Sequence, residues 1–289
     1  MSGCLALLMA ACGGTSGPTA TPGVVAVVAI ENVWGDIARQ IGGSHVRVTS
    51  VLTDPTADPH TFDADPSAAA AISNASFVIE NGLGYDAFAD RLLRASSHDR
   101  GRVLSVATVV GAHRDANPHL WYDPHSVQSA AAAIAAALSV ADSADKASFA
   151  HGLRTFLASY QPYVDTVARI KARYARAPVA YTERVPGYLV EAAGLTLATP
   201  ATFAQAVEDG TDPTPSDVAT VDRALTSRAI KVLLYNAQVT SPTTDRVKKL
   251  ATAHGVPVVG VSETLPAGEP DFQTWQHDQA KALLAALGG

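Results

Sequence analysis

The stretch Val24-Val25-Ala26-Val27-Val28-Ala29-Ile30-Glu31-Asn32-Val33-Trp34-Gly35-Asp36-Ile37-Ala38-Arg39-Gln40-Ile41-Gly42-Gly43-Ser44-His45-Val46-Arg47-Val48-Thr49-Ser50-Val51-Leu52 decides the fold. Its opening run, 24–30, is apolar and rich in β-branched residues, the pattern of a buried strand, and 46–52 reads as a second strand. Between them Asn32 stands as a helix cap, and a helix is expected through Ile41. Strand, helix and strand in immediate succession form the repeating unit of a parallel sheet with helical crossovers.

The alternation continues downstream. Residues 77–79 and 103–106 read as strands and 85–95 as a helix. Asp65-Pro66 and Asp123-Pro124 each pair a capping carboxylate with a proline at the first helical position, the second opening a helix to about Leu138. From Ala144 to Arg176, Phe149, Phe156, Tyr160, Val164, Val167 and Ile170 keep helical spacing over many turns, and Pro162 is expected to kink this helix without ending it. After Pro178 the rhythm resumes through 179–181, 187–193, 195–198, 216–227, 230–235, 242–254, 256–261 and 272–287. The expected class is α/β: two (βα) lobes with central parallel sheets, 24–143 and 177–289, joined by a long rigid connecting helix, 144–176. No residue-level repeat accompanies the shared rhythm.

With 289 residues, 47% of them hydrophobic, the chain is long enough for two cores. A net charge of -6 without any basic run argues against nucleic acid, which needs clustered Lys and Arg. Small cationic or neutral ligands fit better. Cys4 and Cys12 are the only cysteines, so the folded part has no thiolate, and a metal site there must use nitrogen and oxygen. The apolar stretch 4–11 falls far short of the roughly 20 residues that span a bilayer and reads as a processing segment. Leu8-Met9-Ala10-Ala11-Cys12 resembles the lipobox of bacterial lipoproteins, which implies an acyl anchor on Cys12. Residues 1–23 are then a lipoprotein signal and flexible linker, and the lack of Lys or Arg before the apolar stretch predicts a true start upstream.

Open α/β sheets bind ligands beyond the carboxyl ends of their strands. His60, His119, Glu183 and Glu263 all follow strands. The histidines are led by proline, in Asp58-Pro59-His60 and Asn117-Pro118-His119, so each imidazole is presented from a stiff loop. Two imidazoles and two carboxylates satisfy a divalent transition ion and argue against copper(I). Spacing alone leaves other readings open. One is a metallohydrolase with an activated water, although no HExxH occurs; others are a surface adhesin with an incidental metal site and a receptor for a chelated cofactor. His125, beside the cap Asp123, is expected on the surface, and Trp34 and Trp121 as packing groups. Asn236, at a strand end, is either a turn residue or a hydrogen-bond partner of a ligand.

The ordered set of segments resembles the metal-binding receptors of zinc and manganese ABC importers, a cluster that includes bacterial lipoproteins once described as adhesins. The resemblance runs from about Val24 to the C-terminus. It rests on 31–38 with Gly42-Gly43, on Asp58-Pro59-His60-Thr61-Phe62, Asn81-Gly82-Leu83-Gly84, Asn117-Pro118-His119-Leu120-Trp121-Tyr122-Asp123-Pro124, Gly187-Tyr188-Leu189 and Ser262-Glu263. It implies that His60 and His119 ligate from the first lobe, and that Glu183 stands where the family has histidine or glutamate. Glu263 stands where aspartate is common. The histidine-rich loop of many zinc receptors is absent, and carboxylates suit harder ions, so Mn2+ is favoured by a narrow margin over Zn2+. The resemblance further implies a monomer at the outer face of the cytoplasmic membrane, anchored through Cys12 or periplasmic without it. There it would hand its ion to an ABC permease and perform no catalysis.

Overall fold

The computed structural model describes residues 23–54, 65–96, 99 and 102–289; Cys12 and His60 lie outside them. The opening stretch forms β1 (Val25–Glu31), α1 (Asn32–Gly42) and β2 (Val46–Leu52). β2 runs parallel to β1, with Val25 opposite Val46 and Glu31 opposite Leu52. α2 (Pro66–Ser73) starts at the expected Asp65 cap, whose carboxylate accepts the Ser67 amide at 2.7 Å. β3 (Phe77–Glu80), α3 (Ala87–Ala95), β4 (Val103–Ser105) and α4 (Val106–Val109) follow, and β3 and β4 complete a parallel sheet of order β2-β1-β3-β4. α5 (Pro124–Ala141) is capped by Asp123 through the His125 and Ser126 amides, and His125 is exposed, as expected.

The connecting helix α6 (Lys146–Tyr174) carries Pro162 without interruption and, at 1.5 Å per residue, is about 44 Å long. The second lobe comprises β5 (Pro178–Tyr181), α7 (Gly187–Ala192), β6 (Thr196–Leu197), α8 (Ala201–Glu208), α9 (Pro215–Thr226), β7 (Val232–Asn236), α10 (Pro242–Ala253), β8 (Val258–Val261) and α11 (Phe272–Ala286). Its parallel sheet has the order β6-β5-β7-β8, so the strand order of the first lobe recurs without a sequence repeat. Both sheets are buried between helices, as all-parallel sheets require. One apolar cluster runs without a break from Val27 and Ile37 through Phe156 and Tyr160 of α6 to Leu234 and Leu283, so the connector lies inside a core shared by both lobes. A separate layer covers the outer face of each sheet, around Ile72 and Phe88 in the first lobe and Phe203 and Leu225 in the second.

Three local expectations change. The cap of α1 is Glu31, and Asn32 makes no capping bond. Its amide instead pairs with the backbone of Leu265 in the other lobe, donating to the carbonyl at 2.8 Å and accepting the amide at 3.0 Å. The helix expected from Tyr85 begins at Ala87, because the Asp86 carboxylate turns back to take the Asn81 and Gly82 amides at 2.7 and 3.0 Å. Val106 opens a helical turn after β4, and α8 is an element the sequence did not announce.

Candidate metal centre

The carboxyl ends of the two sheets deliver the polar residues. β5 leads to Thr182-Glu183, β7 ends on Asn236, β8 leads to Ser262-Glu263, and His119 stands at the head of a 3-10 turn over Leu120–Tyr122. His119, Glu183, Asn236 and Glu263 are each no more than 2% exposed. Buried polar groups on this scale need partners, and each has them.

His119 presents a defined nitrogen. Its Nδ1 lies 2.7 Å from the Asn117 side-chain oxygen, and the Asn117 amide nitrogen donates to the Arg184 carbonyl at 2.7 Å, which fixes which end of that amide is oxygen. A proton therefore sits on Nδ1, and Nε2 faces Glu263 Oε2, 3.4 Å away across the lobe boundary. The rings of Tyr85 and Trp121 wall this imidazole edge-on at 5.5 and 5.3 Å. Trp34 and Trp121 are fully buried and pack on each other.

Glu263 is held from both lobes. The Tyr85 hydroxyl donates to its Oε2 at 3.2 Å, and Asn236 Nδ2 donates to its Oε1 at 2.8 Å. The same Asn236 nitrogen donates to Glu183 Oε2 at 2.8 Å, so one amide joins the two carboxylates. Asn236 is itself oriented: its Oδ1 accepts the Gln238 amide at 3.1 Å, leaving Nδ2 to face the acids. Gln238 Oε1 then takes the backbone amides of Glu263 and Thr264, each at 3.0 Å. Beside Glu183, Arg184 forms a bidentate pair with Glu208 of α8 at 2.9 and 2.6 Å. Three of the four expected ligands are thus brought to one interlobe region, and the fourth, His60, is outside the described residues. Among the described residues no three His, Asp or Glu side chains close on a common point, because Asn236 stands between the two acids.

Burial, and next the charge of Glu263, push the Tyr85 phenol well above its ordinary value, so it remains a donor. Behind it lies a pair the sequence reading missed. Burial and then the charge of Asp86 raise Glu31 well above its ordinary value, and neither Glu31 carboxyl oxygen has a hydrogen-bond partner among the described residues. Asn117 and Tyr85 were also missed. Asn117 has a signal in its position two residues before His119, whereas Tyr85 has none, since its partner is 178 residues away.

Comparison with known proteins gives a consistent setting. The periplasmic zinc binding protein TroA from Treponema pallidum superposes with a TM-score of 0.77 at 16% identity, covering 92% of this chain and 99% of that one. The binding protein FpvC from Pseudomonas aeruginosa, solved in complex with Mn2+, gives 0.75 at 19% identity over 92% and 98%. These likenesses establish the fold. The manganese-binding lipoprotein MntA of Halalkalibacterium halodurans is 28% identical over 129 residues, 43% of this chain and 42% of that protein. Alignments to the curated relatives span 39–54% of their length. The match to the family described as "ZnuA: Zinc-uptake complex component A periplasmic" covers residues 27–286, nearly the whole described structure, and the chain belongs to that family.

Proposed function

We propose that the protein is an extracytoplasmic receptor that captures a divalent transition ion, Mn2+ or Zn2+, between its lobes and delivers it to an ABC permease without chemistry on the ion. His60 and His119 from the first lobe and Glu183 and Glu263 from the second are its ligands, and acylated Cys12 tethers a monomer to the outer face of the membrane. One observation carries this reading. His119 Nε2 and Glu263 Oε2 face each other at 3.4 Å in a buried site, the separation that two ligands of one ion would have. Two atoms each about 2.0–2.2 Å from one ion at a near-tetrahedral angle lie roughly 3.3–3.6 Å apart. Ligand hardness alone tilts the site narrowly toward Mn2+, while Zn2+ outranks Mn2+ in intrinsic affinity.

The test is metal content and calorimetry on protein purified without added metal. One ion per chain is expected, with H60A, H119A, E183Q and E263Q each weakening binding by more than the roughly 10–100-fold that outer partners cost. Full affinity in H119A refutes the site.

A further inference from the structure

Asn117 belongs to the first lobe but is gripped from the second. Its Oδ1 turns back on its own loop, taking the His119 backbone amide at 3.2 Å and facing His119 Nδ1 at 2.7 Å. Its Nδ2 crosses the boundary and donates to the Arg184 carbonyl at 2.7 Å, and the Tyr188 hydroxyl donates to the Asn117 carbonyl at 2.9 Å. The Arg184 carbonyl is itself fixed. It accepts the Gly187 amide at 2.8 Å, while the Arg184 backbone amide and guanidinium donate to the buried Glu208 carboxylate at 3.3, 2.9 and 2.6 Å. Gly187 leaves room for the grip. A Cβ there would stand 2.6 Å from Asn117 Nδ2 and, outside its own helix and chain neighbours, would meet no other described residue within 4 Å.

A backbone carbonyl can only accept, so it holds the NH2 end of the amide against itself and leaves the oxygen end toward His119. That oxygen takes an imidazole proton on Nδ1, and a neutral ring so protonated ligates through Nε2. With the amide displaced, the ring can carry its proton on Nε2 instead. There the hydrogen would face Glu263 Oε2 at 3.4 Å and close the nitrogen to an ion. We propose that Gly187 and the Arg184–Glu208 pair are positioning residues of the metal centre: from the second lobe they clasp Asn117, and so keep His119 of the first lobe in its ligating form. This rests on His119 as a ligand, as proposed above, and on no other member of that set. The second lobe thus prepares a ligand that it does not carry.

The test uses the whole chain and three readouts: calorimetric affinity for Mn2+ and Zn2+, the urea midpoint, and nitrogen NMR of the imidazoles in metal-free protein at a pH where they are neutral. Gly187 opens α7 with a backbone that alanine adopts, so G187A should keep a midpoint at or above wild type, since Gly to Ala restricts the unfolded chain. Its added Cβ should still displace the Asn117 amide. Both ions should then bind about tenfold more weakly or worse, the scale set by an orienting partner, and an Nε2–H signal that H119A lacks should appear. E208A loosens the Arg184 carbonyl from the other side and should weaken binding too. In N117A the clash has no partner, so N117A/G187A should bind within about twofold of N117A. Wild-type affinity in either folded variant, G187A or E208A, overturns the inference. So do losses in G187A and N117A that multiply, or a loss of affinity in G187A that only follows a lower midpoint. G187A decides alone if E208A does not fold. Wild-type affinity in H119A would instead remove His119 from the ligand set, and so separates the two conclusions.

Discussion

Asn117 commits both ends of its amide at the boundary between lobes, taking the His119 Nδ1 proton on one side and giving a hydrogen to the Arg184 carbonyl on the other. Its removal frees the imidazole to rotate and loosens the turn that carries Glu183. N117A should therefore weaken metal binding about 10–100-fold, as loss of an orienting partner does, with thermal stability little changed; N117D should recover part of the affinity because its oxygen still takes the Nδ1 proton. Calorimetric affinities equal to wild type in both would show that His119 is held by packing alone. The pair Glu31 and Asp86 makes a different prediction. Glu31 holds its proton in the fold above its ordinary value of 4.5, so the native chain carries a proton the unfolded chain has released. Stability from this source is complete below that pH and drains as pH rises toward the folded value, at about 1.4 kcal/mol per unit for each proton. E31Q keeps the shape without the titration, so its urea midpoint should fall less steeply than wild type between pH 5 and 8. Parallel curves would exclude a proton held on Glu31 in the fold. At this scale the sequence showed which residues were ligand types, since His119, Glu183 and Glu263 follow strands. It also offered Asn236 as a hydrogen-bond partner of a ligand, the role it takes toward Glu183 and Glu263, but it hid Asn32 and Asn117, which act through partners in distant segments.

Strands and long helices were legible because burial writes itself as periodicity; short elements were not. α8 begins behind Pro200 with no side-chain cap, and its role, placing Glu208 against Arg184, depends on a partner 24 residues back. Val106 has the β-branched character of the strand before it, yet the chain turns there because the Ala107 amide is taken by the Asn81 carbonyl. α6 was plain from its spacing, and Gly152 shows what fixes its place. A side-chain carbon at that position would run into the Ile41 backbone of α1, so the two helices touch where one lacks a Cβ. Helix propensity alone predicts that G152A stabilises the protein by up to about 1 kcal/mol. Overpacking predicts the opposite sign, a loss of about 1–3 kcal/mol, and we expect the loss. Denaturant unfolding decides between them, and a rise in midpoint would mean that α6 and α1 separate at little cost.

At the scale of the whole molecule, the proposed capture and release of an ion would act on lobes that share a core. α11 returns from the second lobe to lie on α6, and its start is tied to the first lobe where the Phe272 amide donates to the Asp36 carboxylate at 2.9 Å and Gln40 pairs with Gln273 at 2.9 Å. Asn32 adds the reciprocal bond to Leu265, two residues beyond Glu263. Baring only about 400 Å² of this apolar interface would cost about 10 kcal/mol at 25 cal/mol per Å², as much as a domain's entire stability. Binding energy spent on such a rotation would leave little for affinity, so loading should move the ligand loops and leave the lobes in place, with backbone shifts under about 1 Å elsewhere. The expectation can be measured on a variant with Cys4 and Cys12 replaced by serine and spin labels placed at V140C on α5 and K249C on α10, both exposed. The distance distributions with and without ion should superimpose. A shift of several ångström between them would mean that the shared core parts on release, and that α6 serves as a hinge rather than a strut.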